Sequence, residues 1–323
     1  SLQLAPAPRV IHAPFRHWSF TVATARRARV AVADELGGED EFTGSDMGGP
    51  TRPAPAAGAS ERSALTPLPA GAEFGTILHS LFEHIDFASP DPEAALQPLI
   101  ERFATVPSLR AHHSALARGI AQVLRTPLGA AAPLDLRLAD IPRADRIDEL
   151  RFELALPDAA ALPLTRIGGL LRERLPSDDP LSEYAAHLAA GALPAELRGM
   201  LNGAIDLIVR HPQRRDELLI VDYKSNRLAS YGADALRDAM IDHHYPLQGL
   251  LYSVAMHRWL RWRTGMADPS ANLAGFAYLF VRGMVGPDTP VDGAGRREGV
   301  FHWQAPPGVI AALSDLLARE VPA

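Results

Sequence analysis

The chain has 323 residues, a formal net charge of −6 and no cysteine, and its 32 lysine and arginine side chains include a single lysine, Lys224. The missing thiols exclude disulfides, thiolate zinc, iron–sulfur clusters and cysteine nucleophiles, and the lone lysine, set in IVDYKSN with no glycine run before it, excludes a P-loop motor. No apolar run approaches the ~18 residues that span a bilayer and no signal peptide opens the chain, so a soluble, cytoplasmic protein is expected, with too little positive charge for a stand-alone nucleic-acid binder held by bulk electrostatics.

Residues 1–33 hold FRHWSFTVATA, an aromatic and β-branched run that reads as one strand with a basic tail. Residues 34–68 are first acidic and Gly-rich, then Pro/Ala/Ser-rich. They carry too little apolar surface to offset their ordering entropy and read as a flexible linker. One strand ahead of a linker is expected to end a domain whose body lies upstream. Residues 69–323 then form the globular part. GTILHSLFEHIDF carries Ile77, Leu78, Leu81, Phe82 and Ile85 at helical spacing, which predicts a helix over 73–87 capped near Thr76. Two more helices are predicted at about 91–104 and 109–126. RIDELRFELALP alternates like a strand, and 165–195 reads as helical pieces.

GMLNGAIDLIVR and DELLIVDYKS are β-rich runs separated by HPQRR and read as an antiparallel hairpin. A long helical stretch follows over 233–264 with a break at Pro246, then the strands GFAYLFVRG and GVFHW, and a closing helix over 306–320. Helices before, between and after a small mixed sheet predict an α/β (α+β) fold.

Residues two apart on a strand share a face, so Asp222 and Lys224 project together, and Asp206 on the neighbouring strand can stand across from them. A carboxylate inside an apolar strand is costly unless paired or bound to a cation, and two on adjacent strands repel without one between them. An oxygen-rich site of this kind suits Mg²⁺ or Mn²⁺. A compact ammonium beside it suits a phosphate, and arginine does not replace it there. The competing reading is a structural Asp–Lys pair at a strand edge. His79 and Glu83 share a helix face one turn apart, as ligand and supporting carboxylate or as ordinary surface and core residues. Gln248 and Tyr252 form a second i,i+4 pair, either site-shaping or the polar edge of an amphipathic helix. HRWLRWR, residues 257–263, has the composition of a single-strand binder, but its tryptophans are expected to pack inward. The doublets His112-His113 and His243-His244 lack partners at metal spacing.

Taken in order, GTILHSLFEHIDF, LNGAIDLIVR, LLIVDYKSNRL, YPLQGLLYSVAMHRWL and GFAYLFVRGM resemble the C-terminal nuclease domain of RecB-type helicase–nuclease subunits, a branch of the PD-(D/E)xK superfamily. The resemblance runs from about Gly75 to Trp303. It implies a restriction-endonuclease-like core and a metal held by His79, Asp206, Asp222 and the Tyr223 carbonyl. It also implies that Lys224 acts with the two aspartates in phosphodiester cleavage, while Gln248 and Tyr252 shape the site and Glu83 supports it. The implied ion is Mg²⁺, with Mn²⁺ as a substitute and Ca²⁺ as another occupant of the site. The implied partners are single-stranded DNA fed by a helicase and RecC- and RecD-like subunits, with no membrane. FRHWSFTVATA then reads as the last helicase strand and 34–68 as the tether. Two departures stand out: the HPQRRDE turn is longer than the family's hairpin, and the iron–sulfur cluster of AddB-type relatives is excluded. Two alternatives remain open, an inactive module for DNA binding or docking, and a stand-alone exonuclease or restriction-like endonuclease.

Overall fold

In a computed structural model of the chain, residues 17–19, 63–156, 161–193, 195–197 and 199–318 are described. Most of the expected helicase end and residues 34–62 of the expected linker lie outside them. In chain order the elements are β1 (His17–Ser19), α1 (Ala72–His84), α2 (Pro92–Phe103), α3 (His113–Arg125), β2 (Arg146–Ala155), β3 (Leu162–Pro163), α4 (Leu164–Arg174), α5 (Ser182–Ala189), β4 (Glu196–Leu197) and β5 (Met200–Arg210). After these come β6 (Leu218–Lys224), α6 (Ala233–Asp242), α7 (Tyr245–Thr264), β7 (Leu273–Phe280), β8 (Val300–Trp303) and α8 (Val309–Ala318).

β5, β6, β7 and β8 are neighbours in that order, with β1 and β2 both pairing with β5. β5 and β6 form the predicted antiparallel hairpin, β6 and β7 run parallel, and β7 and β8 antiparallel. The parallel pair needs a crossover, which α6 and α7 supply. Helices cover both faces, so the central strands are apolar on both sides and lack simple alternation. On one face Ile205, Ile208, Ile220, Phe276 and Tyr278 meet α4, α5, α7 and α8; on the other Leu207, Val209, Leu219, Val221 and Tyr223 meet α1, α2 and α3.

Leu65 and Leu68, at the end of the segment read as a linker, are fully buried in that second core. Arg282 holds them there. Its guanidinium donates to the carbonyls of Leu65, Leu68 and Pro69 and, through Nε at 2.8 Å, to Ser225 just past β6.

Three local expectations are corrected. The N-cap of α1 is Gly71, while Thr76 Oγ1 donates to Ala72 O at 3.1 Å inside the helix, because the chain enters one turn earlier than the apolar stripe suggests. The break in 233–264 falls at His243–His244, where His244 takes φ 56°, and Pro246 sits in the first turn of α7, where its missing N–H costs nothing. Trp259 packs against the core, but Trp262 is 79% exposed, since α7 has outrun the sheet by its last turn.

Candidate active site

The site is made where β5 and β6 part. Their ladder ends at the pair Leu207–Val221, and one step further the register would set Asp206 opposite Asp222. Beyond that point the backbone of Tyr223 has no strand partner on the β5 side, and side chains take over. Its N–H donates to Asp206 Oδ2 at 3.0 Å, and its carbonyl lies 3.0 Å from His79 Nε2. His79 reaches this gap because α1 lies across the second core, with Phe82 one turn on stacked on the Tyr223 ring at 4.2 Å. The other imidazole nitrogen, Nδ1, is 3.4 Å from Asp206 Oδ1.

Asp222 and Lys224 project onto the opposite face of β6, as the strand period requires. Lys224 Nζ lies 2.7 Å from Asp222 Oδ1 and 3.3 Å from Gln248 Oε1, and Gln248 Nε2 donates to Tyr252 Oη at 2.8 Å. α7 therefore brings Gln248 of the predicted i,i+4 pair to the lysine and Tyr252 to Gln248. Asp222, Lys224, Gln248 and Tyr252 are all buried, whereas His79 and Asp206 retain partial access to solvent.

The electrostatics follow from this crowding. Burial, then the Asp206 carboxylate nearby, raise the Asp222 pKa to about 6. Burial opposes charge on His79, Asp206 and Lys224 as well, but their partners outweigh it. His79 is raised by Asp206, Asp206 is lowered by His79, and Lys224 is raised first by Asp222.

Among the described residues, no three His, Cys, Asp or Glu side chains form a ready-made metal cage, because the Asp222 carboxylate faces Lys224. Asp222 Oδ1 is buried, with the Lys224 ammonium 2.7 Å away. Two carboxylates, an imidazole and a backbone carbonyl around one gap fit a hard divalent cation.

Residues 56–286 match the family described as the PD-(D/E)XK nuclease superfamily. The chain belongs to that superfamily. RecBCD enzyme subunit RecB of Mycobacterium tuberculosis is 44% identical over 284 residues, which are 82% of this chain and 25% of that protein. RecB of Mycolicibacterium smegmatis is 40% identical over 83% of this chain and 26% of its own length. RecB of Escherichia coli K12 is 34% identical over 80% of the chain and 20% of its own. The chain thus spans about a quarter or less of these relatives and is a RecB-like nuclease domain. Its α/β sheet flanked by helices is the expected superfamily fold.

Glu83, expected to support His79, instead turns toward β2. There Glu149 takes φ 48°, and burial followed by the Glu83 carboxylate raises its pKa. Glu149 lay outside the sequence reading, since nothing in RIDELRFELALP marks a left-handed backbone. Gly203 was equally silent: a Cβ there would meet the Phe152 ring at 2.5 Å, and that ring packs edge-on against Tyr252 at 5.8 Å. Tyr245 and Tyr278 were also missed, although a tyrosine inside an apolar run is a usable signal. His113 Nε2 bonds Ala104 O at 3.1 Å, consistent with a structural role for one of the doublets.

The extra residues of the HPQRRDE turn sit at the far end of the hairpin. There Arg214 joins Asp135 and Glu217, and His211 Nε2 lies 3.1 Å from Asp135.

Proposed function

We propose that this chain is the divalent-metal-dependent deoxyribonuclease part of a RecB-like helicase–nuclease subunit, cleaving phosphodiesters of mainly single-stranded DNA during the processing of double-strand breaks. The observation that carries this reading is the gap between β5 and β6. It gathers Asp206, the Tyr223 carbonyl and His79 beside Asp222 and Lys224.

His79, Asp206, Asp222 and the Tyr223 carbonyl would hold Mg²⁺, with Mn²⁺ as a working substitute and Ca²⁺ as a non-productive one. Bound there, the cation would lower the pKa of water and neutralise charge developing on phosphorus. Lys224 holds a phosphate oxygen and orients the attacking water, adding a second fixed positive charge where the transition state gains negative charge. Gln248 and Tyr252 close the site behind the lysine. No described helix is long and apolar enough to cross a membrane. The reading places the protein in the cytoplasm, with RecC- and RecD-like subunits and a motor elsewhere in the assembly supplying the strand. The net charge of −6 is consistent with most DNA affinity residing in those partners.

Asp222→Ala and Lys224→Gln should each abolish Mg²⁺-dependent degradation of single-stranded DNA while circular dichroism shows the fold intact. Degradation surviving in both variants overturns the reading.

A further inference from the structure

The lysine at the centre of this site is enclosed by aromatic rings as well as by polar groups. Besides Asp222 and Gln248, its ammonium lies 4.2 Å from the ring centroid of Tyr245 and 5.4 Å from that of Tyr278. The two rings stack on each other at 5.5 Å with an interplanar angle of 18°. Tyr278 stands beside Asp222 in the β6–β7 register, and Tyr245 opens α7 three residues before Gln248. Two elements that reach the site from different directions thus build one aromatic wall.

The wall also sets the Gln248 amide. Tyr278 Oη lies 3.0 Å from Gln248 Oε1 and 3.0 Å from the Tyr245 carbonyl. The one Tyr278 hydroxyl proton is shared between these two acceptors, and together with the Lys224 ammonium it favours the amide presenting its oxygen to the lysine and its NH₂ to Tyr252. The outer edge of the wall is fixed in turn. Tyr245 Oη exchanges hydrogen bonds with Asn226 at 3.2 and 3.3 Å, and His243 stacks on the Tyr245 ring at 5.1 Å.

A cation over an aromatic face is attracted by the ring quadrupole, and more strongly when desolvated. The wall therefore adds to the Asp222 contact and holds Lys224 at one place relative to both carboxylates. A buried lysine with four rotatable bonds would otherwise have to be ordered when substrate arrives, a cost that preorganisation removes.

We propose that Tyr245 and Tyr278 are positioning residues for Lys224. The Tyr245 ring acts through cation–π attraction, and the Tyr278 hydroxyl acts by orienting Gln248. This rests on reading the site as a phosphodiesterase centre, and it concerns residues that act through the lysine without touching the phosphate.

The test uses the full chain with short single-stranded DNA and Mg²⁺. Tyr278→Phe, which removes one hydroxyl and no ring, should lower kcat about tenfold at unchanged KM. Tyr245→Leu should lower kcat by at least as much, and Tyr245→Phe, which keeps the ring, should recover most of the loss. Because the chain has one lysine, isotope labelling of lysine yields a single side-chain spin system. The ε-methylene signals of Lys224 should carry an aromatic ring-current shift that shrinks markedly in Tyr245→Leu, leaving the smaller contribution of the more distant Tyr278 ring, and persists in Tyr245→Phe. A merely structural tyrosine would not produce that pattern. Wild-type kcat in both Tyr278→Phe and Tyr245→Leu overturns the proposal, as do Lys224 signals unmoved by Tyr245→Leu. A wild-type chain that fails to cleave DNA overturns the nuclease reading instead, and the lysine signals then decide the positioning claim alone.

Discussion

Asp206 accepts a hydrogen bond from the backbone N–H of Tyr223 at 3.0 Å, and so a side chain stands where a strand would otherwise pair. The carboxylate has a second use as a ligand candidate, and the two roles separate by substitution. Asp206→Asn keeps an acceptor for the N–H, so its urea midpoint should stay near wild type while calorimetric Ca²⁺ binding is lost. Asp206→Ala also strands the buried N–H, which should cost about 1–2 kcal/mol more in urea unfolding.

Lys224→Arg retains the charge and should nonetheless abolish cleavage. The pocket seats an ammonium 2.7 Å from Asp222, 3.3 Å from Gln248 and 4.2 Å from the Tyr245 ring, and a planar guanidinium does not fit those three contacts at once. The expected result is loss of Mg²⁺-dependent nuclease activity with Ca²⁺ binding retained. Activity within tenfold of wild type would contradict it.

Arg282→Ala should be among the most destabilising single changes in the chain. The side chain is fully buried, caps carbonyls on Leu65, Leu68, Pro69 and Ser225, and lies over the Phe74 ring. Removing it leaves several buried acceptors unpaired, at a cost of about 3–5 kcal/mol and a fall in Tm on the order of 10 °C. Differential scanning calorimetry checks this, and the loss should occur with or without a divalent ion.

Acid should loosen the far end of the hairpin. Hydrogen bonding to Arg214 lowers the Asp135 pKa to about 2 despite partial burial. Because the folded pKa is depressed, the stabilisation is complete above the unfolded value of about 3.9 and is lost as pH falls toward about 2. Urea unfolding of wild type and Asp135→Asn should therefore differ by a constant amount above pH 5 and converge between about pH 4 and 2. A gap that stays constant through that window would show that the Arg214 contact is not formed.

How much of this was legible in the sequence depended on whether the signal was local. Strand period alone puts Asp222 and Lys224 on one face, and the hairpin β5–β6 follows from two apolar runs around a polar turn. A register placing Asp206 opposite Asp222 is a short-range consequence of that turn. His79 is different, since 144 residues separate it from Tyr223, and helix spacing left it open between ligand and ordinary residue until the family resemblance assigned it a role. Glu149 and Gly203 carried no recognisable pattern, because a left-handed backbone and a close ring contact arise from neighbours that are distant in the chain.

The sequence by itself determined the chemistry available: one ammonium, two strand carboxylates, no thiols and no P-loop. These are properties of composition and of periods of two and 3.6 residues, and they survive without a fold. Only the tertiary structure decided that β5 and β6 part after Leu207 and Val221, that α1 fills the gap with His79, and that Tyr245 and Tyr278 wall in the lysine. Those outcomes are set by how helices and strands far apart in the chain compete for the same buried volume, and local spacing does not encode that competition.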